Sequence, residues 1–289
     1  MNQINELITA EELHPLIVAG EVRVVDCRFN FFDTEKGRHD YFAGHIPSAN
    51  YADMDHDLSS SVTETSGRHP LPDTSSIHKT LEGWGISDGS HVVVYDEDNG
   101  ALAVRLWWML RYWLGHPHVS VLDGGLAAWV LAGYETSTLE SPRVRGRYTR
   151  MPDDRMVVST QDIVSKIQKG EGADIIDARD GARFRGENEP IDEVAGHIPG
   201  AKSFPLTTNL KKNGAVKNGK QLAEAWSLVI GERDIDNAVV MCGSGITACH
   251  LVLTAKLAGL DAPRLYVGSW SEWIRDPDRP VEVGDGVDS

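Results

Sequence analysis

The chain has 289 residues, 41% of them hydrophobic and 25% charged, an ordinary globular composition with enough length for two domains of common size. Lys and Arg number 28 against 43 Asp and Glu, so the formal net charge of -15 disfavours nucleic acid and anionic membrane surfaces as partners. No apolar stretch approaches the roughly 20 residues that span a bilayer, and the amino-terminal residues do not form a signal peptide. We therefore predict a cytoplasmic protein with no membrane and no nucleic-acid partner.

The three cysteines, Cys27, Cys242 and Cys249, do not form the even, dense set that a disulfide framework needs. Free thiols in a reducing compartment fit this count best. The sequence also has no CxxC pair, no HExxH and no His/Cys cluster at metal-ligand spacing. We therefore expect no structural or catalytic metal.

Short runs rich in Val and Ile alternate along the chain with segments of helical periodicity. In chain order the predicted strands are residues 22–25, 92–95, 119–122, 175–176, 239–241 and 265–267. The clearest helix follows Gly100, where Leu106, Leu110 and Trp113 recur at helical spacing. This alternation predicts an α/β fold in which each sheet is mostly parallel and has helices on both faces.

The two halves of the chain repeat each other in four blocks that occur in the same order. In each half a strand ends in Asp-x-Arg, at Asp26 and at Asp177, and the block AGHIP follows with His45 and His197. Further on, HVVVYDEDNG aligns with NAVVMCGSGI, and VLDGGLAAW aligns with YVGSWSEW. Such an ordered set of matches predicts a duplicated domain.

The predicted domains cover residues 4–137 and 158–283. Between them, residues 138–157 include few apolar side chains, two prolines and charges of alternating sign. This composition predicts an exposed linker.

Cys242 follows the strand predicted at 239–241 and opens the loop CGSGIT, after which a helix begins. Ligands gather at the carboxyl ends of parallel strands, so this location favours chemistry. Gly243 and Gly245 allow the loop to curl and aim N–H groups at one point, and the dipole of the following helix favours a thiolate there. The alternative is a small hydrophobe packed at the end of a buried strand.

The aligned position in the first half is Asp96, which is followed by Glu97 and Asp98. A carboxylate is not a soft nucleophile, and the neighbouring acids disfavour an anion. We therefore expect reactivity in the second half and only the scaffold in the first. Cys249 is expected to pack in the following helix, with a redox role as the alternative.

The twin AGHIP blocks, the LDGGLAAW and YVGSWSEW segments and the loop CGSGIT resemble the tandem-domain sulfurtransferases of the rhodanese superfamily, over roughly residues 5–283. The loop is similar to the CGSGVT typical of the 3-mercaptopyruvate sulfurtransferases, with Ile246 in place of Val. The resemblance implies two rhodanese-like domains, the first without the catalytic cysteine. It implies that Cys242 takes sulfur from a small-molecule donor, holds it as a persulfide and passes it to a thiol, a thioredoxin-like protein or cyanide. No organic cofactor or metal is implied.

Arg183 matches an arginine that holds the donor carboxylate in mercaptopyruvate enzymes, and Arg185 is close enough in sequence to share that role. The alternative for Arg183 is a surface ion pair with Glu187 or Glu189. The loop residues implied in substrate binding are Gly243, Gly245, Ile246 and Thr247.

His45 matches a histidine proposed to join the loop serine, here Ser244, in proton transfer. This role would bring a first-domain residue to the catalytic loop of the second domain. Asp33 is the nearest acid that could complete such a relay. The alternative for both His45 and His197 is a structural turn at His-Ile-Pro, and for His197 this alternative is preferred.

One segment departs from the mercaptopyruvate pattern, because Ile191 and Asp192 stand where a second arginine is usual. Arg68 or His69, in the GRHPLP loop that we expect to be exposed, could supply the missing positive group. The resemblance therefore implies 3-mercaptopyruvate as the donor, with thiosulfate as the alternative. Thiosulfate enzymes tend to have a basic residue in the cysteine loop, and this chain has none.

Two rival functions belong to other classes. Cysteine phosphatases of this fold need an arginine at the end of a CX5R loop, and the sixth residue after Cys242 is Ala248. A phosphate dianion would then lack its main partner. The other rival is a non-catalytic interaction module, against which the intact loop of the second half argues.

Overall fold

The computed structural model describes residues 5–141, 144–170 and 174–286, so parts of the predicted ranges (residues 4, 142–143 and 171–173) lie outside the described residues. The chain divides into two compact units. The first comprises the described residues of Met1–Ser60, Leu71–Asp153 and Lys211–Val216, and the second those of Ser61–Pro70, Asp154–Leu210 and Lys217–Ser289. Within the described ranges, every helix is too short or too polar to cross a membrane.

The first unit contains five strands and five α-helices. The strands are β1 (Leu7–Ile8), β2 (Val22–Asp26), β3 (Asn50–Tyr51), β4 (His91–Tyr95) and β5 (Val119–Leu122). The helices are α1 (Ala10–Ala19), α2 (Lys36–Ala43), α3 (Thr74–Gly83), α4 (Val104–Trp108) and α5 (Gly125–Leu131). The helix predicted after Gly100 thus begins later than expected, and α4 continues as a π-helix over Met109–Trp113.

The second unit repeats this order. Its strands are β6 (Val157–Val158), β7 (Ile175–Asp177), β8 (Lys202–Ser203), β9 (Val239–Met241) and β10 (Arg264–Tyr266). Its helices are α6 (Thr160–Lys169), α7 (Gly181–Phe184), α8 (Gly219–Ile230), α9 (Ala248–Leu257) and α10 (Ser269–Trp273). Short 3-10 turns lie at Asp154–Met156, Leu206–Asn209 and Ile235–Asn237.

Each unit has one parallel five-stranded sheet, with strand order β1-β5-β4-β2-β3 in the first and β6-β10-β9-β7-β8 in the second. All six predicted strands are present, and their ends shift by at most one residue. The predicted fold class, α/β with two tandem domains, is confirmed. The additional strands β1, β3, β6 and β8 have only two residues each, which is too short for a periodic signal in the sequence.

The same positions form the core of each unit. In the first, Ile8, Leu13 and Trp129 pack together with side chains of the central strands. In the second, Val158, Ile163 and Trp273 stand in the corresponding places. Helices α1 and α6 also begin alike, because Thr9 and Ser159 each close a capping box with an acid three residues later. The two repeats of the sequence therefore share the same buried core positions and the same helix caps.

The repeated Asp-x-Arg motif is structural. Arg28 pairs with Asp26 at 2.7 Å and donates to the carbonyl oxygen of Gly44 at 2.8 Å. Arg179 pairs with Asp177 at 2.7 Å and donates to Gly196 at 2.7 Å in the same way. Since Gly44 and Gly196 precede the two histidines, each buried ion pair fixes the start of the His-Ile-Pro turn.

The described residues of the expected linker are exposed or half-buried apart from Tyr148. Tyr148 is 2% exposed and attaches the segment to the first unit, because its hydroxyl lies 3.3 Å from Nδ1 of His116. The GRHPLP loop differs from its predicted exposure, since His69 is buried and the backbone N–H of Arg68 donates to Oγ of Ser271 at 3.0 Å. Tertiary contacts of polar side chains, which composition does not encode, fix both segments.

Candidate active site

Cys242 lies directly after β9, at the carboxyl end of the second sheet, and its side chain is nearly buried. The N–H of Gly245 donates to Sγ of Cys242 at 3.2 Å. The loop can turn back in this way because Gly245 has φ +76°, and a β-carbon there would lie 2.4 Å from the carbonyl oxygen of Val267. Sequence reasoning predicted this curl from the two glycines.

The amino end of α10 holds the loop from the other side. The N–H of Cys242 donates to Oγ of Ser269 at 3.1 Å. In return, the N–H groups of Trp270 and Ser271 donate to the carbonyl oxygens of Cys242 and Gly243 at 3.0 and 2.9 Å. The sequence showed YVGSWSEW as a repeated block, but it gave no sign that this block supports the cysteine loop.

The remaining predicted loop residues follow Cys242 into helix α9. Ser244 and Ile246 are buried, and Thr247 is the residue before α9. Sγ of Cys249, in the first turn of α9, donates to the carbonyl oxygen of Gly245 at 3.4 Å. Cys249 thus contacts the same glycine that donates to Cys242, which gives it a place in the support of the loop.

Arg183, at the end of α7, lies beside the loop and is ion-paired at the same time. Its Nε donates to Oε1 of Glu189 at 2.9 Å, and its Nη2 donates to Oδ2 of Asp192 at 2.9 Å. A β-carbon placed on Gly243 would lie 3.5 Å from Nη2. Of the two alternatives for Arg183, the ion pair is formed, and the side chain also lies next to the cysteine loop.

Arg68 provides a second guanidinium group at the same point. Its Nη2 lies 3.0 Å from where a β-carbon of Gly243 would be, and its Nη1 contacts Oδ1 of Asp192. The 61–70 segment that carries it is fixed to α10, because the N–H of Gly67 also donates to Oε2 of Glu272 at 3.3 Å. The structure thus brings Arg68, suggested from sequence as a substitute cation, next to Arg183.

Two acids balance these cations. The side chains of Glu189 and Asp192 are each 3% exposed. Glu189 also contacts Arg179 at 3.4 Å, so the acids and arginines form one connected network. Burial raises the pKa of Asp192, and the neighbouring Glu189 carboxylate adds to this effect, whereas Arg68 and Arg183 oppose it.

Arg185 has different partners from Arg183. Its Nε donates to Oε1 of Glu187 at 2.8 Å, and it approaches Asp285 at 3.8 Å. Arg183 thus forms the pair with Glu189 that was considered for it, whereas the exposed pair with Glu187 is formed by Arg185.

His45 and His197 occupy equivalent turns. Nδ1 of His45 lies 2.7 Å from the carbonyl oxygen of Tyr41, and Nδ1 of His197 lies 2.8 Å from that of Phe184. Each imidazole is buried and stacks on the aromatic ring of the same partner, with centroids 3.9 and 3.8 Å apart. Nε2 of His45 is 3.0 Å from the carbonyl oxygen of Leu139. These contacts favour the structural role for both histidines.

Asp33, the acid considered for a relay with His45, is exposed, and its backbone N–H donates to Oδ1 of Asn30 at 3.1 Å. Both ring nitrogens of His45 face backbone carbonyl oxygens instead of a carboxylate. A carboxylate relay through His45 is therefore not formed in this structure. His69, which directly follows Arg68, is the buried histidine of the segment that lies on the loop.

The loop after β4 in the first unit is held by equivalent backbone hydrogen bonds, but its first side chain is a carboxylate. The N–H groups of Leu126 and Ala127 donate to the carbonyl oxygens of Asp96 and Glu97, both at 2.9 Å. The Asp96 carboxylate turns into its own loop, where it accepts N–H groups at 2.8 to 3.3 Å. The donors are Asp98, Gly100, Leu102 and Ala103. A fixed carboxylate thus stands where the second unit has a thiol.

The rhodanese-like domain model matches residues 9–132 and again residues 160–276. The chain is 44% identical over 282 residues to a probable 3-mercaptopyruvate sulfurtransferase of Pseudomonas aeruginosa, covering 97% of this chain and 99% of that protein. It is 38% identical to a putative thiosulfate sulfurtransferase of Mycobacterium tuberculosis, covering 96% and 97%. The solved structure of the 3-mercaptopyruvate sulfurtransferase from Leishmania major superposes with a TM-score of 0.82 at 30% identity, covering 94% of this chain and 75% of that one.

The chain therefore belongs to the rhodanese-like family, as two tandem rhodanese-like domains. The resemblance seen in the sequence is confirmed, and the protein is an enzyme of the sulfurtransferase class.

Proposed function

We propose that Cys242 takes sulfur from 3-mercaptopyruvate, holds it as a persulfide and transfers it to a thiol or to cyanide. The observation that carries this proposal is the pair of guanidinium groups, Arg68 and Arg183, which lie against Gly243 next to the cysteine. A donor with one carboxylate and its sulfur two carbons away suits such a place. The Pseudomonas aeruginosa relative, which is named for this donor, adds support.

The first step balances within the two reactants. The Cys242 thiolate attacks the donor sulfur, the bond from that sulfur to carbon breaks, and the proton from the donor thiol ends on the carbon. Pyruvate leaves, and the outer persulfide sulfur is anionic. The N–H of Gly245, which donates to Sγ at 3.2 Å, and the amino end of α9 lie where they would stabilise this anion.

Ser244, which is next to Gly243 in the loop, supplies the hydroxyl of a proton relay in this proposal. His69 is its proposed partner because the neighbouring Arg68 reaches Gly243, whereas both ring nitrogens of His45 face carbonyl oxygens of its own unit. His69→Asn should then lower kcat, whereas His45→Asn should mainly lower the free energy of unfolding. The opposite pattern would restore His45 to the mechanism.

Thiosulfate is the second candidate donor. Two guanidinium groups suit a dianion, and the Mycobacterium tuberculosis relative is named for this donor. We further propose thiols, including thioredoxin-like proteins, as acceptors and a reducing cytoplasmic location, with which the buried free cysteines Cys27, Cys242 and Cys249 are compatible.

Intact-protein mass spectrometry tests the reaction directly. Incubation with 3-mercaptopyruvate should add one sulfur atom at Cys242, and a thiol should remove it. Steady-state kinetics with both donors then decides between them. If neither donor adds sulfur, the proposed function is wrong.

Variants of the arginines test the carboxylate site. Arg183→Ala and Arg68→Ala should each raise the KM for mercaptopyruvate by roughly ten-fold, the usual size of one charge-assisted contact. Arg185→Ala is the matched control, because its partners are Glu187 and Asp285. An equal rise in KM for Arg185→Ala would mean that Arg185 shares the site.

A further inference from the structure

The two arginines of the proposed donor site, Arg68 and Arg183, already bind a carboxylate of the protein itself. Oδ1 of Asp192 contacts Nη1 of Arg68, and Oδ2 of the same carboxylate accepts from Nη2 of Arg183 at 2.9 Å. One carboxylate therefore bridges both guanidinium groups, and each of these groups also lies against Gly243. This is the bidentate arrangement that an incoming donor carboxylate would need.

The two acids of the network are held differently. Glu189 accepts the backbone N–H groups of Ile191 and Asp192, both at 3.1 Å, and contacts Arg179 and Arg183 as well. These contacts fix Glu189 as part of the scaffold. The Asp192 carboxylate instead contacts the two arginines that face the loop.

The resting site carries two cations and two anions, so its charges are balanced before any donor arrives. A donor anion that bound beside Asp192 would place like charges together in a buried site, which is strongly unfavourable. Burial also disfavours the ionised form of this carboxylate, and for that reason the pKa of Asp192 is raised. Its release toward water would restore hydration to the group, which lowers the cost of exchange.

We infer that the Asp192 carboxylate occupies the donor-carboxylate site in the free enzyme and that donor binding exchanges one carboxylate for the other. Asp192 is thus a specificity-determining residue that weakens the binding of small anions and admits only donors able to replace a bidentate carboxylate. This inference rests on the proposed function, since it assigns the occupant of the same arginine pair.

Turnover of 3-mercaptopyruvate by Asp192→Asn tests the exchange. The variant should show a KM lower by roughly ten-fold with kcat within about two-fold of wild type, because an amide competes less well than a carboxylate for two guanidinium groups. Glu193→Gln is the matched control, since it removes the same charge one residue further along, at an exposed position. The control should leave KM within about two-fold of wild type.

A binding measurement keeps the test independent of turnover. Pyruvate, which has the carboxylate but no sulfur, is titrated calorimetrically into Cys242→Ser and into Cys242→Ser combined with Asp192→Asn. Pyruvate should bind the double variant roughly ten-fold more tightly. An unchanged or higher KM, together with unchanged or weaker pyruvate binding, would overturn the inference and make Asp192 a residue that positions the arginines. Wild-type enzyme that forms no persulfide would instead contradict the proposed function, and the pyruvate titration would still decide the role of Asp192.

Discussion

The loops after β4 and β9 occupy the same place in two sheets of the same strand order, and the amino end of a short helix holds each loop through two N–H groups. In the first loop the Asp96 carboxylate uses the surrounding N–H groups for itself. In the second, the N–H of Gly245 donates to the sulfur of Cys242 instead. The same loop scaffold therefore holds its own carboxylate in one unit and presents a thiol in the other.

The largest expected effect is the loss of sulfur transfer when the thiol of the second loop is removed. Cys242→Ser should abolish persulfide formation and turnover, because a hydroxyl is not a soft nucleophile toward sulfur. The free energy of unfolding should change by less than about 1 kcal/mol, since the two side chains are similar in size. Mass spectrometry and denaturant unfolding measure the two quantities. Persistent sulfur transfer by the variant would show that another residue is the nucleophile.

Asp96→Ala should lower the stability of the protein but leave its kinetics nearly unchanged. Removal of the carboxylate leaves several buried N–H groups without an acceptor, so the free energy of unfolding should fall by about 3 kcal/mol. The kinetics of folded protein at low temperature should stay close to wild type. Asp96→Asn, which retains one acceptor oxygen, is the graded control. If Asp96→Ala unfolds like wild type, the carboxylate does not stabilise the loop.

A pair of reciprocal substitutions compares the helix ends that support the loops. Gly125 has φ +56° and Ser269 has φ +53°, so both adopt the left-handed conformation. A β-carbon on Gly125 would lie 2.5 Å from the carbonyl oxygen of Asp96, so Gly125→Ser should cost about 2 kcal/mol of unfolding free energy. Ser269→Gly should change it by less than about 1 kcal/mol, because relief of the left-handed strain offsets the lost contact with Cys242. Equal effects at the two sites would contradict the comparison.

The two units should also differ in their response to acid. Burial lowers the pKa of His116 in the first unit to about 4. Residues 257–266, near the corresponding strand of the second unit, contain no histidine. Between pH 6.5, the pKa of an unfolded histidine, and about 4, the unfolded chain binds a proton that the folded unit excludes, so stability falls as the pH falls.

Because of His116, the free energy of unfolding at pH 5 should be about 1–2 kcal/mol lower than at pH 7. Denaturant unfolding of wild type and His116→Asn at both values measures it, and the variant should lose less stability on acidification. Identical slopes for the two proteins would assign the acid response to other groups.

The sequence predicted the sheets, the duplication and the location of Cys242, because strand runs, repeated motifs and glycines are local signals. It did not predict the contacts of Arg68, which depend on the 61–70 segment being held on α10 far along the chain. It also left open whether Arg185 shares the place of Arg183, since the short turn between them decides which guanidinium faces the loop. The role of Asp192 depends on two partners distant in sequence from each other, and no local pattern encodes such a bridge.

The assignment of residues 61–70 to the second unit has an evolutionary consequence. Duplication followed by loss of the cysteine from one copy would ordinarily leave that copy free to be deleted. Here a deletion of the first repeat that extended through residue 70 would take with it Arg68 and the hydrogen bonds to Ser271 and Glu272. The unit that contains Cys242 is therefore incomplete without a segment that lies, in sequence, inside the first repeat.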